Sequence, residues 1–276
     1  MTAFDFEMVG KIGSMALIRK EDNDIDYNIF SRISSELKPG MIWVSSGATE
    51  IGRLDYLKRN GKPLTGDEDM IKADYAAQGQ SILMQNYRQF ISPMYSVRQL
   101  LVEHQHFNEK EKREHIKTLL LHCPAQNAIP IINYNDPVSN EENRKMELLQ
   151  LRASCEDDVV ECVDNDETAS VIATLVNTRY LVILTSVLGI YEDPTDEKTL
   201  VSEIGGKNIS ELLLNIEESQ KSCVGASRPG ANGAKAKLEY IKKPVENGTT
   251  VIIGHAKYRL NDLINGTVPR TIIRTR

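Results

Sequence analysis

The stretch Val44-Ser-Ser-Gly-Ala-Thr-Glu-Ile-Gly52 decides the class of fold that the sequence predicts. It continues an apolar run at Met41–Ser45, turns through small residues and glycine, and then enters a helical pattern. A glycine turn between a strand and a helix lets backbone N–H groups approach an anion at the helix N-terminus. Taken alone, the stretch fits a tight turn without a ligand at least as well.

Short β-rich runs alternate with longer helical patterns on both sides of this stretch. Such alternation is typical of a parallel sheet covered by helices, so the sequence predicts an α/β fold with one domain over residues 1–276. The polar, irregular segment Asp193–Lys221 is predicted to form a flap or excursion from this domain and not a linker between domains. The predicted strands are Glu7–Ile12, Met41–Ser45, Ala128–Asn133, Tyr180–Thr185, Thr250–Ile253 and Thr271–Arg274, and the predicted helices are Lys72–Ile91, Glu109–His122, Asp166–Asn177 and Asn232–Lys243.

The composition is that of an acidic globular protein. The 276 residues include 33 Lys and Arg and 39 Asp and Glu, a net charge of −6 that argues against nucleic acid or an anionic membrane surface as the main partner. No apolar run approaches the roughly 18 residues of a membrane span, and the N-terminus does not resemble a signal peptide. Four cysteines without a C-x-x-C pair predict reduced thiols, so we expect a cytoplasmic protein.

Two lysines follow or precede glycine-containing turns. Lys11 lies at the end of the first predicted strand with Gly13 just past it, where an ammonium group can reach phosphate oxygens. The loop 225–233 opens the last predicted helix, whose first turns present Lys235 and Lys237 in an arrangement that suits a polyphosphate. A surface lysine and a solvated loop are the alternatives.

Two clusters of Asp and Asn stand at predicted strand or helix ends. Pro130-Ile-Ile-Asn-Tyr-Asn-Asp136 ends a buried strand, and Asp164-Asn165-Asp166 begins an apolar helix. Either cluster could bind an amine, Mg²⁺ or a lysine side chain, and either could simply cap a helix. Lysines, glycine turns and acidic clusters together point to phosphoryl transfer, which needs positive charge over the transferred group and rigid positioning. No metal site is predicted, because His104-Gln-His106 lacks a third ligand nearby.

The order of these motifs resembles the amino acid kinase family and, within it, the glutamate 5-kinase branch. Lys11–Met15 is similar to the pattern K-[LI]-G-[ST]-S, and Cys162–Ser170 is similar to F-G-D-N-D-x-L-[SA]-A. The resemblance extends from Lys11 to about Gly266 and includes the kinase domain only, so no C-terminal PUA domain is expected. Its other motifs are Ser45–Gly52, Ala76–Met84, Pro130–Asp136, Ile183–Tyr191 and Gly230–Lys237.

The resemblance implies a three-layer αβα sandwich around a largely parallel sheet of about eight strands. It also implies ATP and Mg²⁺, an amino-acid substrate, and a homo-oligomer, either a dimer or a tetramer. Residues 1–170 would bind the acceptor and residues 171–276 the nucleotide. Catalysis would rest on Lys11, Lys237 and Asp166. The acceptor would be bound by Ser46, Gly47 and Ala48, with their backbone N–H groups turned inward, and by Asn133, Asp136, Asp164 and Asn165. The nucleotide would be bound by Gly13, Thr185, Ser186, Tyr191, Gly230, Asn232, Gly233 and Lys235.

The implied reaction is ATP-dependent phosphorylation of a side-chain carboxylate, with L-glutamate as the first candidate acceptor and proline biosynthesis as the context. The chain departs from the branch pattern at Tyr134, Ser186 and Asn232, where Glu, Asp and Gly are usual. Two alternatives therefore stay open: another acceptor, such as a different amino acid, a small phosphate or a nucleoside monophosphate, and a non-catalytic nucleotide-binding module.

Overall fold

A computed structural model describes residues 4–19, 21–139, 141–154, 159–162, 164–193, 195–223 and 233–276. It confirms the α/β fold with a largely parallel central sheet, which has eight strands in the described part of the chain. The strands are β1 Phe6–Ile12, β2 Ile18–Arg19, β3 Asp24–Ile25, β4 Met41–Ser45, β5 Ser96–Val102, β6 Ala128–Tyr134, β7 Thr178–Thr185, β8 Ile190–Tyr191, β9 Leu200–Val201, β10 Glu203–Gly206, β11 Thr250–His255 and β12 Arg270–Thr275.

Helices connect most of the strands of this sheet. Single 3-10 turns lie at Ser14–Leu17, Pro124–Gln126 and Glu197–Thr199. The α-helices are α1 Tyr27–Glu36, α2 Ala48–Asn60, α3 Glu68–Phe90, α4 Gln105–Asn108, α5 Lys110–His122, α6 Glu141–Ser154, α7 Asn165–Leu175, α8 Ile209–Ser222, α9 Gly233–Tyr240, α10 Lys242–Glu246 and α11 Leu260–Asn265.

The sheet order brings the carboxyl ends of the central strands together. The order is β10-β12-β11-β7-β1-β4-β6-β5, and all neighbours from β11 to β5 are parallel. Only the pairing of β11 with β12 is antiparallel within this sheet of the described residues. Because parallel strands end at the same edge, the loops after β1, β4, β6 and β7 face one crevice, where ligands bind in such sheets.

Each face of the sheet is covered by its own apolar layer. Along β7, Leu181 and Ile183 enter one layer, whereas Val182 and Leu184 enter the other, as the two-residue period of a strand requires. The first layer includes apolar residues of α5, α7, α8, α9 and α10, and the second includes those of α1, α2, α3 and α11. The three-layer sandwich is thus confirmed.

Two helices of the second layer touch through their backbones. A Cβ added at Gly79 of α3 would lie only 1.8 Å from the carbonyl oxygen of Ala48 in α2, and one added at Gly52 would lie 1.8 Å from the carbonyl oxygen of Tyr75. Glycine is therefore required at both positions for this packing. The contact fixes the first turn of α2, and with it the turn Ser46–Ala48, against α3.

The structure corrects the sequence prediction in two places. Asp193–Lys221 is not an irregular flap, because it contains β9, β10 and most of α8, whose buried Leu212 and Ile216 pack into the first layer. The predicted helix Asn232–Lys243 is divided into α9 and α10, and Asn232 lies outside the described residues. None of the described helices combines the length and hydropathy needed to cross a membrane.

Candidate active site

A buried carboxylate joins two lysines at the carboxyl edge of the sheet. The Nζ of Lys11, near the end of β1, lies 2.7 Å from Oδ1 of Asp166, and the Nζ of Lys237 in α9 lies 2.8 Å from Oδ2. Burial alone would raise the pKa of Asp166, but attraction to the two ammonium groups outweighs it, so the pKa lies below its ordinary value. Asp166 therefore stays ionised and holds both cations.

The start of α7 positions this carboxylate. The side chain of Asp164 accepts hydrogen bonds from the backbone N–H groups of Asp166 and Glu167, at 2.8 and 3.0 Å, and so caps the helix. Asp166 then occupies the first turn, where the positive end of the helix dipole favours a negative charge. One short motif thus supplies both the cap and the residue that holds the lysines.

Buried amides connect α7 to the ends of β4 and β6. The Nδ2 of Asn165 donates to Oγ of Ser46 at 3.0 Å and to Oδ1 of Asn133 at 2.9 Å. The Nδ2 of Asn133 donates in turn to Oε1 of Gln80, on α3, at 2.8 Å. Among the described atoms, Nε2 of Gln80 and Oδ1 of Asn165 are buried without a hydrogen-bond partner. They offer one donor and one acceptor to a polar ligand.

The turn before α2 has the backbone geometry that an anion site requires. Gly47 has φ of +112°, a left-handed conformation that favours glycine, and it immediately precedes the helix. The expectation that all three N–H groups of Ser46–Ala48 turn inward is wrong for Ser46, whose N–H donates to the carbonyl oxygen of Ile12 at 3.1 Å. The strand end holds Ser46, and the first-turn N–H groups of α2 lack acceptors within the helix.

A polar cavity of about 350 Å³ lies beside this turn. Asp136, which follows β6, is partly buried in its wall, and burial raises the pKa of its carboxyl to about 6 although Arg144 acts in the opposite direction. The remaining wall consists almost entirely of charged and polar side chains. They are Ser14, Ser46, Thr49, Asp69, Lys72, Tyr134, Ser139, Glu141, Arg144, Asp164 and Asn165.

The residues predicted to bind a nucleotide lie on the other side of the lysines. The Oγ1 of Thr185, at the end of β7, closes a local turn with the backbone of Val187, and the hydroxyl of Tyr191 accepts from the N–H of Leu188 at 3.4 Å. Ser186 is exposed in the same turn. Thr185 pairs with His255 of β11, so this turn faces the same crevice.

The remaining predicted nucleotide residues are only partly described. Gly13 donates its N–H to the carbonyl oxygen of Leu184 at 3.4 Å and lies next to the ammonium group of Lys11. Gly233 begins α9 with φ of +69°, and Lys235 is exposed on that helix. Gly230 and Asn232 lie outside the described residues.

Two polar residues of this region were not predicted from the sequence. Gln80 lies in the motif Ala76–Met84, so its position within that motif was an available signal, and it contacts Asn133. Arg144 belongs to α6, between the two Asx-rich clusters, and nothing in its local sequence indicates that it reaches the cavity.

The comparison with known families agrees with this geometry. The model described as "Amino acid kinase family" matches residues 8–255. The chain belongs to this family.

Curated relatives from the family extend over nearly the whole chain. A glutamate 5-kinase from Alkaliphilus metalliredigens (strain QYMF) is 28% identical over 279 residues, which cover 97% of this chain and 95% of the relative. A glutamate 5-kinase from Enterococcus faecalis (strain ATCC 700802 / V583) is 30% identical over 260 residues, which cover 91% of this chain and 87% of the relative. Family membership makes this chain a phosphotransferase, and it leaves the specific acceptor to be tested.

Solved structures share the fold of this chain at low identity. A carbamate kinase from Giardia is 18% identical with a TM-score of 0.58, and the match covers 100% of both chains. A UMP kinase from Ureaplasma parvum is 12% identical with a TM-score of 0.53, and the match covers 98% of each chain. At these identities the likeness supports the fold alone.

Proposed function

We propose that this kinase transfers the γ-phosphoryl group of ATP to the side-chain carboxylate of an amino acid, with L-glutamate as acceptor and L-glutamyl 5-phosphate as product. This reaction would be the first step of proline biosynthesis. The observation that carries the proposal is the ion-pair cluster of Lys11, Asp166 and Lys237, which lies between a polar cavity and the predicted nucleotide turn. Relatives named glutamate 5-kinase support the choice of acceptor.

The proposed chemistry needs charge neutralisation more than proton transfer. An acceptor carboxylate is already ionised at neutral pH, so its oxygen can form the new bond to the γ-phosphorus while the bond from phosphorus to the β–γ bridging oxygen breaks and ADP leaves. Lys11 and Lys237 would stabilise the negative charge on the transferred group. Asp166 would keep both ammonium groups aimed at that point.

The remaining residues would hold the two substrates on either side. In this proposal the turn Gly47–Ala48 lies at the reacting carboxylate, and Asn133, Asp136, Asp164 and Asn165 surround the acceptor. Mg²⁺ would arrive on the phosphates of ATP, as it commonly does in kinases. Gly13, Thr185, Ser186, Tyr191, Gly233 and Lys235 would face the nucleotide, together with Gly230 and Asn232 of the glycine-rich loop.

The test is release of ADP from Mg·ATP in the presence of L-glutamate, with hydroxylamine to trap the acyl phosphate as a hydroxamate. L-Aspartate, N-acetyl-L-glutamate and UMP serve as alternative acceptors. We expect hydroxamate with L-glutamate, and a loss of kcat of about 100-fold or more in Lys11→Ala and Lys237→Ala. Lys221→Ala, an exposed lysine paired with Glu218, is the matched control and should retain full turnover.

The outcomes separate the parts of the proposal. ADP release without hydroxamate, or with UMP alone, would overturn the carboxylate acceptor and leave a kinase of this family with another substrate. Unchanged turnover in both lysine variants would overturn the assignment of the ion-pair cluster as the catalytic centre.

A further inference from the structure

One helix reaches the acceptor cavity from outside the sandwich. Most residues of α6 are exposed, including Met146 at 60% and Leu149 at 64%, while Leu148 is buried. The carboxylate of Glu147 pairs with Nε2 of the buried His104 at 3.0 Å. These two neighbouring residues attach α6 to the protein, and Arg144 lies one turn earlier on the same face.

The guanidinium group of Arg144 is incompletely bonded. Its Nε is buried and has no hydrogen-bond partner in the described structure. Its Nη1 makes only a long contact of 3.5 Å with the carbonyl oxygen of Cys162. Burial raises the pKa of the nearby Tyr134 hydroxyl, although the charge of Arg144 acts in the opposite direction. A guanidinium that keeps a buried donor unbonded at a cavity wall is suited to binding a carboxylate through two parallel hydrogen bonds.

Asp136, one of the carboxylates in the cavity wall, also lacks a partner among the described residues. Among the described residues, no hydrogen bond or ion pair within 4.0 Å satisfies the carboxylate of Asp136, although Arg144 lines the same cavity. A cation and an anion that share a cavity without contacting each other match a ligand with adjacent ammonium and carboxylate groups. An α-amino acid is such a ligand, with its ammonium group on Asp136 and its α-carboxylate on Arg144.

We propose that Arg144 binds the α-carboxylate of the acceptor and thereby restricts this kinase to α-amino dicarboxylates. The inference rests on the proposed function, because the second carboxylate has to reach the turn before α2 and the lysines beyond it. Arg144 is then a specificity-determining residue, and the pair formed by His104 and Glu147 is its positioning device. An acceptor without an α-carboxylate would leave the guanidinium unbonded and bind weakly.

The test compares L-glutamate with γ-aminobutyrate, which lacks only the α-carboxylate. Binding is measured by calorimetry without ATP, and KM and kcat are measured with Mg·ATP. We expect Arg144→Ala to raise Kd and KM for L-glutamate about 10- to 100-fold while kcat changes little. Arg144→Lys should recover part of the loss. Values for γ-aminobutyrate, poor in the unaltered protein, should change less than about twofold, because the deleted contact is not made with that ligand.

The matched control is Arg152→Ala on the same helix. Its side chain is 53% exposed and pairs with Glu161, which is not among the residues that line the cavity, so both ligands should bind this variant as they bind the unaltered protein. An equal loss for both ligands in Arg144→Ala would indicate a structural role and overturn the inference, as would unchanged L-glutamate binding.

The same design distinguishes this inference from the proposed function. Binding of L-glutamate that depends on Arg144, without any phosphoryl transfer, would support the inference and overturn the proposed reaction. Phosphorylation of L-glutamate that is insensitive to Arg144 would do the reverse. Failure of the unaltered protein to bind L-glutamate, L-aspartate and γ-aminobutyrate alike would overturn both.

Discussion

Removing the charge of the buried Asp136 carboxyl should increase the stability of the protein and weaken ligand binding. Burial raises its pKa from the ordinary value of 3.8 to about 6. The rise corresponds to about 3 kcal/mol, by which the folded protein disfavours the ionised carboxylate relative to the unfolded chain. Asp136→Asn removes this charge, so it should stabilise the ligand-free protein by up to about 3 kcal/mol at pH 7.5.

The direction of the pH dependence follows from which state, folded or unfolded, takes up a proton first. As pH falls through 6, the folded state takes up a proton before the unfolded state does, so the cost of the charge disappears in acid. The advantage of Asp136→Asn should therefore shrink to about 1.5 kcal/mol at pH 5 and to about 0.5 kcal/mol at pH 4. Urea unfolding at several pH values between 4 and 7.5, extrapolated to water, measures this advantage. Glu142→Gln, an exposed carboxylate on α6, is the control and should stay within about 0.5 kcal/mol at every pH.

Two results would refute this reasoning. One is an Asp136→Asn variant that is no more stable than the unaltered protein at pH 7.5. The other is a gain of the same size at every pH, which would mean that the ionised carboxylate is not its source. L-Glutamate should bind the variant at least about tenfold more weakly, because the charged partner of the ammonium group is lost.

Three further outcomes follow from other parts of the structure. Asp166→Asn leaves two lysines facing each other without a carboxylate and should cost about 3–5 kcal/mol in urea unfolding; a loss below about 1 kcal/mol would contradict the buried ion pairs. Burial lowers the pKa of His104, so its contribution to stability should be complete above the ordinary pKa of 6.5 and lost as pH falls below it; His104→Gln should unfold with a smaller acid dependence. Gly79→Ala should cost about 3 kcal/mol, because its Cβ meets the carbonyl oxygen of Ala48, whereas the exposed Ser81→Ala should be neutral by thermal unfolding.

The central strands could be predicted from the sequence because they are buried on both faces. All residues of Met41–Ser45 and Ala128–Tyr134 are buried, and such strands are apolar along nearly their whole length. Ser96–Val102 was missed because it is an edge strand with exposed Arg98 and Gln99, so its pattern does not differ from that of a loop. Glu203–Gly206 was missed for the same reason, with two glycines in place of β-forming residues.

The candidate site was predictable where it lies on short local motifs. The sequence around Asp166 predicts a helix cap followed by a carboxylate in the first turn of the helix. This carboxylate is then positioned to pair with Lys11 near the end of a strand. Arg144 could not be found in this way, because its position depends on how α6 docks through Leu148 and the contact between His104 and Glu147. That docking is a tertiary interaction with no local signature. The N–H of Ser46 was misassigned for a related reason, since its acceptor belongs to a different strand.

The carboxylate between the two lysines also acts as a built-in counter-ion. The cluster of Lys11, Asp166 and Lys237 carries a net charge of +1 before any ligand arrives, and Asp166 holds both ammonium groups at 2.7 and 2.8 Å. Without Asp166, anions of the buffer would neutralise the lysines, and an incoming nucleotide would first have to displace them. With it, the affinity for nucleotide should depend on ionic strength through screening, but little on whether the salt is chloride or sulfate.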